Sequence, residues 1–275
     1  MATDAITGTA AGVPYTALPP SAPGNGTAPL LIAWHMMDAP RTDAAFAAAL
    51  PLHDVPAWRV HLGMPWTGRR PYPQGEQDAG EDPVRKYLEP VIGQAVTEFP
   101  DALDALRREL PVDDGPVAVL GGSLGGAVAL RVLAEGQTPV AAAAVVNAAI
   151  RARTVVDLFD TVRGTTYEWA PDAETTADRH DFVARATDIA ARTPQPPLLV
   201  VSGDDDFPTF RQDASALVAA LQAAYDSPAT VALAAVPGLA HPLAERPGEH
   251  PAPQTPEARR VDEAITAWLT THWTR

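Results

Sequence analysis

The residue best placed for chemistry is Ser123, which stands between Gly121 and Gly125. An apolar run at 117–120 precedes it, and a helix-forming run begins at Leu124. This pattern predicts a strand, a tight turn and a helix, with glycines where a Cβ would obstruct the turn. Such a turn projects the serine hydroxyl beyond the sheet edge, where the first N–H groups of the helix stabilise negative charge. The sequence therefore predicts a nucleophilic serine, and a glycine-rich turn without a catalytic role is the alternative.

A serine hydroxyl is a weak nucleophile, so the site needs a base to accept its proton and an acid to orient that base. Three adjacent carboxylates at 204–206 follow the apolar run 198–202. His241 follows the apolar run 230–236 and, of the seven histidines, is the one that directly follows the final predicted strand. Pairing one carboxylate with an imidazolium relieves part of the repulsion among the three. The other two carboxylates are expected in a solvated turn. The alternative to a catalytic role for His241 is a histidine in a surface turn.

The chain order Ser123, Asp206, His241 resembles that of the α/β-hydrolase family, and in particular its serine esterases. The resemblance covers nearly the whole chain. It implies the α/β-hydrolase fold, a site that needs no cofactor, and an acid in a Gly-x-x-Asp pattern, which points to Asp206 with Asp205 as the runner-up. Relatives that use another nucleophile carry aspartate or cysteine at the serine position. Ser123 therefore indicates esters, thioesters or amides as substrates.

The resemblance also implies an oxyanion hole made by two backbone N–H groups. One is that of Leu124, and the other comes from the loop after the predicted strand Leu30–Trp34. The family commonly has His-Gly-x in this loop, whereas this chain has His35-Met36-Met37. We expect Met37 to be the second donor, with Met36 as the alternative because methionine replaces the family's glycine. His35 is expected to brace the loop and to take no part in proton transfer.

The elements that must position these residues alternate between buried strands and helical patterns. This alternation predicts an α/β fold with a mostly parallel sheet, helices on both faces, and ligands bound beyond the carboxyl ends of the strands. Residues 151–193 break the alternation, so we expect a small helical cap or lid insertion within a single domain of residues 1–275; a surface crossover is the alternative. Loops are predicted at 19–29 and 63–83. The predicted strands are 30–34, 58–62, 117–120, 140–146, 198–202 and 230–236. The predicted helices are about 83–110 with breaks or restarts at Pro90 and Pro100, from 124 onward, 210–225 and 257–273.

Composition narrows the function classes. The chain of 275 residues carries a formal charge of −14, which disfavours nucleic acid as a partner because its phosphates would be repelled. The absence of cysteine excludes disulfides, thiolate catalysis and cysteine zinc sites. The sequence has no His-x-x-x-His pair and no nucleotide-binding glycine motif, so we expect neither a metal nor a cofactor. It has neither a secretory signal pattern nor an apolar run of membrane-spanning length, so we expect a cytoplasmic protein.

These observations lead to the expectation of a serine hydrolase that cleaves a small carboxylic ester through an acyl-enzyme intermediate. A thioesterase or an acyltransferase on the same residues is the alternative, and a hydrolase-like scaffold that only binds a ligand is a further one. A peptidase of the prolyl-oligopeptidase kind is disfavoured, because its large additional propeller domain has no room in 275 residues. Four aromatic residues near the expected site-facing loops are candidates for an apolar substrate pocket, with core packing as the alternative for each: Trp34, Trp66, Trp169 and Phe207.

Overall fold

A computed structural model describes residues 5–21, 26–70, 72 and 81–273 of the chain. The predicted loops at 19–29 and 63–83 fall partly outside these described residues. Within them, eight strands form one sheet. The strands are β1 (Ile6–Ala10), β2 (Val13–Leu18), β3 (Leu30–Trp34), β4 (Trp58–Leu62), β5 (Val117–Gly122), β6 (Val140–Val146), β7 (Leu198–Gly203) and β8 (Val231–Val236).

The sheet is mostly parallel, as the sequence predicted. Its strand order is β1-β2-β4-β3-β5-β6-β7-β8. β1 pairs with β2, and β2 with β4, in antiparallel fashion, while every pairing from β4 to β8 is parallel. The carboxyl ends of β3, β5, β7 and β8 therefore lie along one edge, where the chain continues into the segments that carry the candidate residues.

Helices cover both faces of the sheet, which confirms the predicted layering. Alternate residues of each central strand point to opposite faces, so Ile32 and Val119 join one apolar cluster while Leu31 and Leu120 join the other. A π-helical turn at Val84–Leu88 leads directly into α2. The α-helices of the described residues are α1 (Asp43–Ala49), α2 (Glu89–Glu109), α3 (Leu124–Glu135), α4 (Ala152–Arg163), α5 (Pro171–Arg179), α6 (Ala186–Ala190), α7 (Pro208–Ala224) and α8 (Pro256–His272).

A new helix, α2, begins at Glu89 after the π-helical turn, which agrees with a restart at Pro90, but the predicted break at Pro100 is wrong because α2 continues through it. Pro90 lies in the first turn, where its missing N–H would have no helical partner. Pro100 removes one internal hydrogen bond, but buried residues on both sides of it, including Phe99 and Leu103, pack the helix onto the sheet. Tertiary packing therefore outweighs the local cost of the proline.

The sequence reading missed the hairpin β1–β2 and the short helix α1. Residues 151–193 contain three helices, α4, α5 and α6, in the segment for which the sequence predicted a small helical insertion. A backbone bridge between Arg151 and Asp181 joins the two ends of the α4–α5 pair. Within the described residues, no helix combines the length and the apolar character needed to cross a bilayer.

Candidate active site

Ser123 occupies the turn between β5 and α3 in a backbone conformation that side chains rarely adopt, with φ 48° and ψ −117°. The glycines on either side allow this turn because the backbone passes too close for a Cβ. A Cβ on Gly121 would meet the carbonyl oxygen of Gly125, and a Cβ on Gly125 would meet the carbonyl oxygen of Trp34. The backbone N–H of Ser123 donates to the carbonyl oxygen of Val146 at 3.0 Å, which ties the turn to the end of β6.

His241 bridges Ser123 and Asp206. Its Nε2 lies 2.9 Å from the serine Oγ, and its Nδ1 lies 2.8 Å from Oδ1 of Asp206. An ionised carboxylate only accepts hydrogen bonds, so Nδ1 carries the proton and Nε2 is left to accept from the serine hydroxyl. His241 is 8% exposed and Asp206 is 3% exposed. This hydrogen-bonded chain has the geometry that activates a serine for attack on a carbonyl carbon.

The three carboxylates of the acidic run 204–206 differ in their surroundings. Asp204 and Asp205 are exposed, and the structure brings Asp206 to the imidazole. The backbone N–H of Phe207 donates to the same Oδ1 of Asp206 at 2.7 Å, while the other carboxylate oxygen, Oδ2, is buried without a partner among the described residues. The hydrogen bond and ion pair of the His241 Nδ1 are with Asp206 and not with the runner-up, Asp205.

Leu124 and Met37, whose backbone N–H groups are the expected oxyanion donors, both line the cavity that Ser123 lines. Leu124 is the first residue of α3, where helix geometry leaves the N–H without an internal acceptor. Met37 follows β3 and lines the same cavity as Ser123 and Leu124. Met36 is fully buried and packs against Gly122, so its side chain belongs to the core beneath the turn.

His35 holds the loop that carries Met37. Its Nδ1 donates to the carbonyl oxygen of Met36 at 2.6 Å, and its Nε2 accepts from the N–H of Met64 at 2.9 Å. Burial lowers the pKa of His35 to about 4, so the ring is neutral at pH 7. Both ring nitrogens are occupied by backbone partners, which leaves neither free to exchange a proton with a substrate.

An apolar cavity of about 290 Å³ opens beside the Ser123 hydroxyl. Among the described residues that line it, the one carboxylate is that of Asp38, which accepts hydrogen bonds from Nε and Nη2 of Arg246. The ion pair holds the pKa of Asp38 below its ordinary value. The cavity is lined by Met37, Asp38, Tyr87, Leu88, Ser123, Leu124, Ala149, Val155, Leu158, Phe159, Phe207, Phe210 and His241.

Of the four aromatic residues expected in the substrate pocket, Phe207 lines this cavity and the other three do not. Trp34 is buried in the core and packs edge-on against Phe99, with ring centroids 5.0 Å apart. The ring of Trp66 packs near the ring of Tyr87, and Trp66 lines a surface depression separate from this cavity. Trp169 packs on Tyr167 and beneath the guanidinium of Arg153. The alternative considered from the sequence, packing in the core or in loops, holds for these three.

The sequence reading missed most of the cavity wall. Helix α4 supplies Val155, Leu158 and Phe159, and the turn before α2 supplies Tyr87 and Leu88. The α4 residues follow the spacing of one apolar helix face. Its direction toward the serine depends on how the helix packs, which the pattern does not contain. Among the described residues, no group of three histidine, cysteine, aspartate or glutamate side chains is placed to hold a metal ion.

A family model described as the prolyl oligopeptidase family matches residues 74–272. A comparison with curated protein sequences finds no match. The match is to the family whose peptidases the chain length disfavoured, and the matched residues include the strands β5 to β8.

The similar solved structures share the α/β-hydrolase fold, which confirms the fold expected from the sequence. A Thermus thermophilus protein superposes with a TM-score of 0.67 at 20% identity, covering 97% of this chain and 99% of that one. Carboxyl esterase 2 of the fungus Tuber melanosporum superposes with a TM-score of 0.62 at 16% identity, covering 100% and 89% of the two chains. The acylaminoacyl peptidase of Pyrococcus horikoshii superposes with a TM-score of 0.63 at 11% identity, covering 98% and 41%.

Proposed function

The chain belongs to the prolyl oligopeptidase family of α/β-hydrolases, and we propose that this serine hydrolase cleaves small carboxylic esters with an apolar acyl group. One observation carries the proposal: the hydrogen-bonded chain from Ser123 through His241 to Asp206, which opens onto an apolar cavity. The small size and low polarity of the cavity favour a compact, uncharged acyl group over a long peptide.

The proposed reaction begins with attack of the Ser123 Oγ on the ester carbonyl carbon. His241 accepts the serine proton at Nε2, and Asp206 stabilises the resulting imidazolium through Nδ1. Negative charge develops on the former carbonyl oxygen. The backbone N–H groups of Leu124 and Met37 are the proposed donors to this oxyanion, and the N-terminus of α3 adds its positive dipole end.

Collapse of the tetrahedral intermediate breaks the bond to the alcohol oxygen. His241 returns its proton to that oxygen, so the alcohol leaves neutral and the acyl group remains on Ser123. Water then attacks the acyl carbon, His241 accepts one water proton, and the acid leaves as Ser123 recovers its hydrogen. The cycle consumes one water and needs no oxidant, reductant or metal.

We also propose that residues 151–193 act as a cap over this site. Helix α4 presents its apolar face to the cavity, and polar contacts fix it to the rest of the domain. Arg151 and Thr154 both bind the carboxylate of Asp213 in α7, at 2.7 and 2.5 Å. The cap then sets the size of the acyl group while the strand ends carry the reaction.

Peptide bond cleavage is the second candidate, because the family is named for peptidases. The same proton transfers serve an amide if His241 protonates the leaving amine. Recognition of a peptide's cationic N-terminus needs an uncompensated carboxylate. In the described lining of the cavity the carboxylate is that of Asp38, and Arg246 already neutralises it. This disfavours an aminopeptidase, and the small apolar cavity favours an ester over a longer peptide.

The test is hydrolysis of p-nitrophenyl acetate and butyrate by the wild type and by Ser123→Ala, beside matched aminoacyl p-nitroanilides and acyl thioesters. Ser123→Ala should lose about three or more orders of magnitude in kcat. Ser215→Ala is the control, because Ser215 is exposed on α7 and its hydroxyl donates to the carbonyl oxygen of Arg211. Full activity in Ser123→Ala would refute the mechanism, and faster cleavage of the anilides than of the esters would make the chain a peptidase.

Labelling by a fluorophosphonate probe separates an enzyme from a binding scaffold. The probe forms a covalent bond only with an activated serine, so wild-type protein should be labelled at Ser123 and the alanine variant should not. Folded wild-type protein that resists the probe would indicate a scaffold that binds without turnover.

A further inference from the structure

Asn147 stands directly after β6 in a left-handed backbone conformation, with φ 44°. It is 3% exposed, and its backbone N–H donates to the carbonyl oxygen of Val201 at 3.0 Å. Asparagine is one of the few residues with a Cβ that adopts this conformation readily. A buried polar side chain at such a position needs hydrogen-bond partners, and those of Asn147 all lie in segments that carry the candidate site.

The side-chain amide of Asn147 makes three hydrogen bonds. Its Nδ2 donates to the carbonyl oxygens of Ala240 and His241, at 2.9 and 3.1 Å. Its Oδ1 accepts from the backbone N–H of Gly203 at 2.8 Å. Two carbonyls require donors and one N–H requires an acceptor, so the orientation of the amide follows from its neighbours.

These bonds link the two segments that carry the proposed base and acid. Gly203 ends β7 and begins the turn to Asp206, whose N–H donates back to the Gly203 carbonyl oxygen at 3.2 Å. Ala240 and His241 belong to the loop after β8. One amide therefore fixes the start of the Asp206 turn relative to the backbone of His241.

The same short segment also contacts the nucleophile. The residue before Asn147, Val146, accepts from the N–H of Ser123 at 3.0 Å. The N–H of Ala149 donates to the carbonyl oxygen of Ser123 at 2.9 Å. Residues 146–149 thus touch the backbone of all three segments that supply the proposed catalytic side chains.

From this geometry we infer that Asn147 is a positioning residue for the hydrolytic reaction, holding His241 between Ser123 and Asp206. It touches neither the substrate cavity nor the reacting atoms. Its side chain acts through the backbone of His241, which sets where the imidazole can reach. This inference rests on the proposed function and adds the group that keeps the imidazole in place.

Two substitutions test the amide. Asn147→Asp keeps the shape but turns the donor toward the carbonyls of Ala240 and His241 into an acceptor. Asn147→Gly removes the amide and keeps the positive φ without strain. Each should lower kcat for p-nitrophenyl butyrate roughly 10- to 100-fold, the scale of a misplacement of about 1 Å, with KM changed less than about threefold.

The control for general destabilisation is Tyr225→Phe. Tyr225 is buried and donates from its hydroxyl to the carbonyl oxygen of Pro196 at 3.0 Å, at the opposite end of β7 from the site. Like the Asn147 variants, it leaves a backbone carbonyl without its donor. It should lower the unfolding midpoint and leave kcat unchanged.

A spectroscopic readout separates positioning from stability. The His241 Nδ1–H that donates to Asp206 should give a downfield proton resonance in the wild type, identified by its loss in His241→Ala. In both Asn147 variants this resonance should shift or broaden, whereas Tyr225→Phe should leave it in place. All measurements are normalised to folded protein at low temperature, and Asn147→Ser replaces any variant that does not fold.

A wild-type kcat, or a loss of activity with an unmoved downfield proton, would overturn the inference. Its failure is distinct from failure of the proposed function. If Ser123→Ala is inactive while the Asn147 variants turn over normally, the positioning role alone is wrong. If Ser123→Ala stays active, the proposed mechanism itself is wrong.

Discussion

The imidazole Nδ1 of His241 lies 2.8 Å from Oδ1 of Asp206, although 35 residues separate them in the chain. The loops after two neighbouring strands, β7 and β8, bring them together. Asp206 is buried, and in this setting the carboxylate fixes which ring nitrogen carries the proton. Nε2 is thereby left as the acceptor that faces Ser123.

Asp206→Asn should therefore abolish most activity while preserving the fold. An amide at this position can present an N–H to Nδ1, which would stabilise the tautomer that cannot accept the serine proton. We expect a loss of about 10³- to 10⁴-fold in kcat for p-nitrophenyl butyrate. Asp205→Asn is the matched control: the side chain is exposed and one residue away, and it should retain activity within about twofold, the range expected of a surface change. The reverse order of the two variants would assign the acid to Asp205.

The apolar wall from α4 predicts a change of acyl preference in Phe159→Ala. Removal of the ring enlarges the cavity, so longer p-nitrophenyl esters should gain relative to the butyrate. We expect the ratio of kcat/KM for octanoate over butyrate to rise roughly tenfold or more, since each additional buried methylene is worth about 1 kcal/mol or more. Val162→Ala lies on the same helix with a side chain that is 76% exposed, and it should leave the ratio unchanged. An unchanged ratio in Phe159→Ala would mean that the acyl group binds elsewhere.

Gly125→Ala should destabilise the protein, against the ordinary tendency of alanine to stabilise a helix. The new Cβ would meet the backbone carbonyl oxygens of Trp34 and His35, which cannot move without displacing β3. Gly93→Ala in α2 is the control. There the nearest atom is a flexible Glu89 carboxylate oxygen at 3.4 Å, so alanine should raise the free energy of unfolding by about 0.5–1 kcal/mol. Urea unfolding measures both, and a stable Gly125→Ala with normal kcat would refute the close approach.

His61→Leu should weaken the dependence of stability on pH. His61 is fully buried in the sheet, neither ring nitrogen has a hydrogen-bond partner among the described residues, and burial lowers its pKa to about 3. The unfolded chain binds a proton here below pH ~6.5, while the folded chain stays neutral until about 3. Stability from this group is thus complete above ~6.5 and falls as the pH drops toward 3, by up to about 1.4 kcal/mol per pH unit.

The measurement is the free energy of unfolding in urea at pH ~7 and ~5. Between these values the unfolded chain takes up a proton at His61 that the folded chain does not bind, so the free energy of unfolding falls. Wild type should lose more stability on acidification than His61→Leu. His53→Gln, at an exposed histidine, is the control and should behave as wild type. Equal losses in all three proteins would show that His61 is protonated in the folded state.

The sequence predicted the central strands well because their residues are buried on both faces. Leu30–Trp34 and Trp58–Leu62 form strands with the bounds read from the sequence. Leu30–Trp34 is a continuous apolar run, and Trp58–Leu62 alternates apolar residues with Arg59 and His61; both patterns are typical of strands. The tight turn at Ser123 was readable for a similar reason, since its glycines are demanded by backbone contacts that any such turn must make.

The rest depended on tertiary packing. The strand Val13–Leu18 contains Pro14 and Thr16 and lacks a continuous apolar run. Its local sequence therefore gives little indication that it pairs with the sheet. Trp34 and Phe207 are both aromatic residues at strand ends or just beyond, yet one is core and the other lines the cavity. Side-chain direction decided between them. The inferred role of Asn147 could not be predicted from the sequence, because it depends on three hydrogen bonds to segments distant in the chain, which produce no periodic pattern.

Helix α4 forms a wall of the cavity but has no residue in the hydrogen-bonded chain of Ser123, His241 and Asp206. Under the proposed function, substrate selectivity and catalytic turnover therefore depend on different segments of the chain. Exchanging the apolar positions of Ala152–Arg163 is therefore a route to retuning which molecules are accepted, with the reaction centre inherited intact.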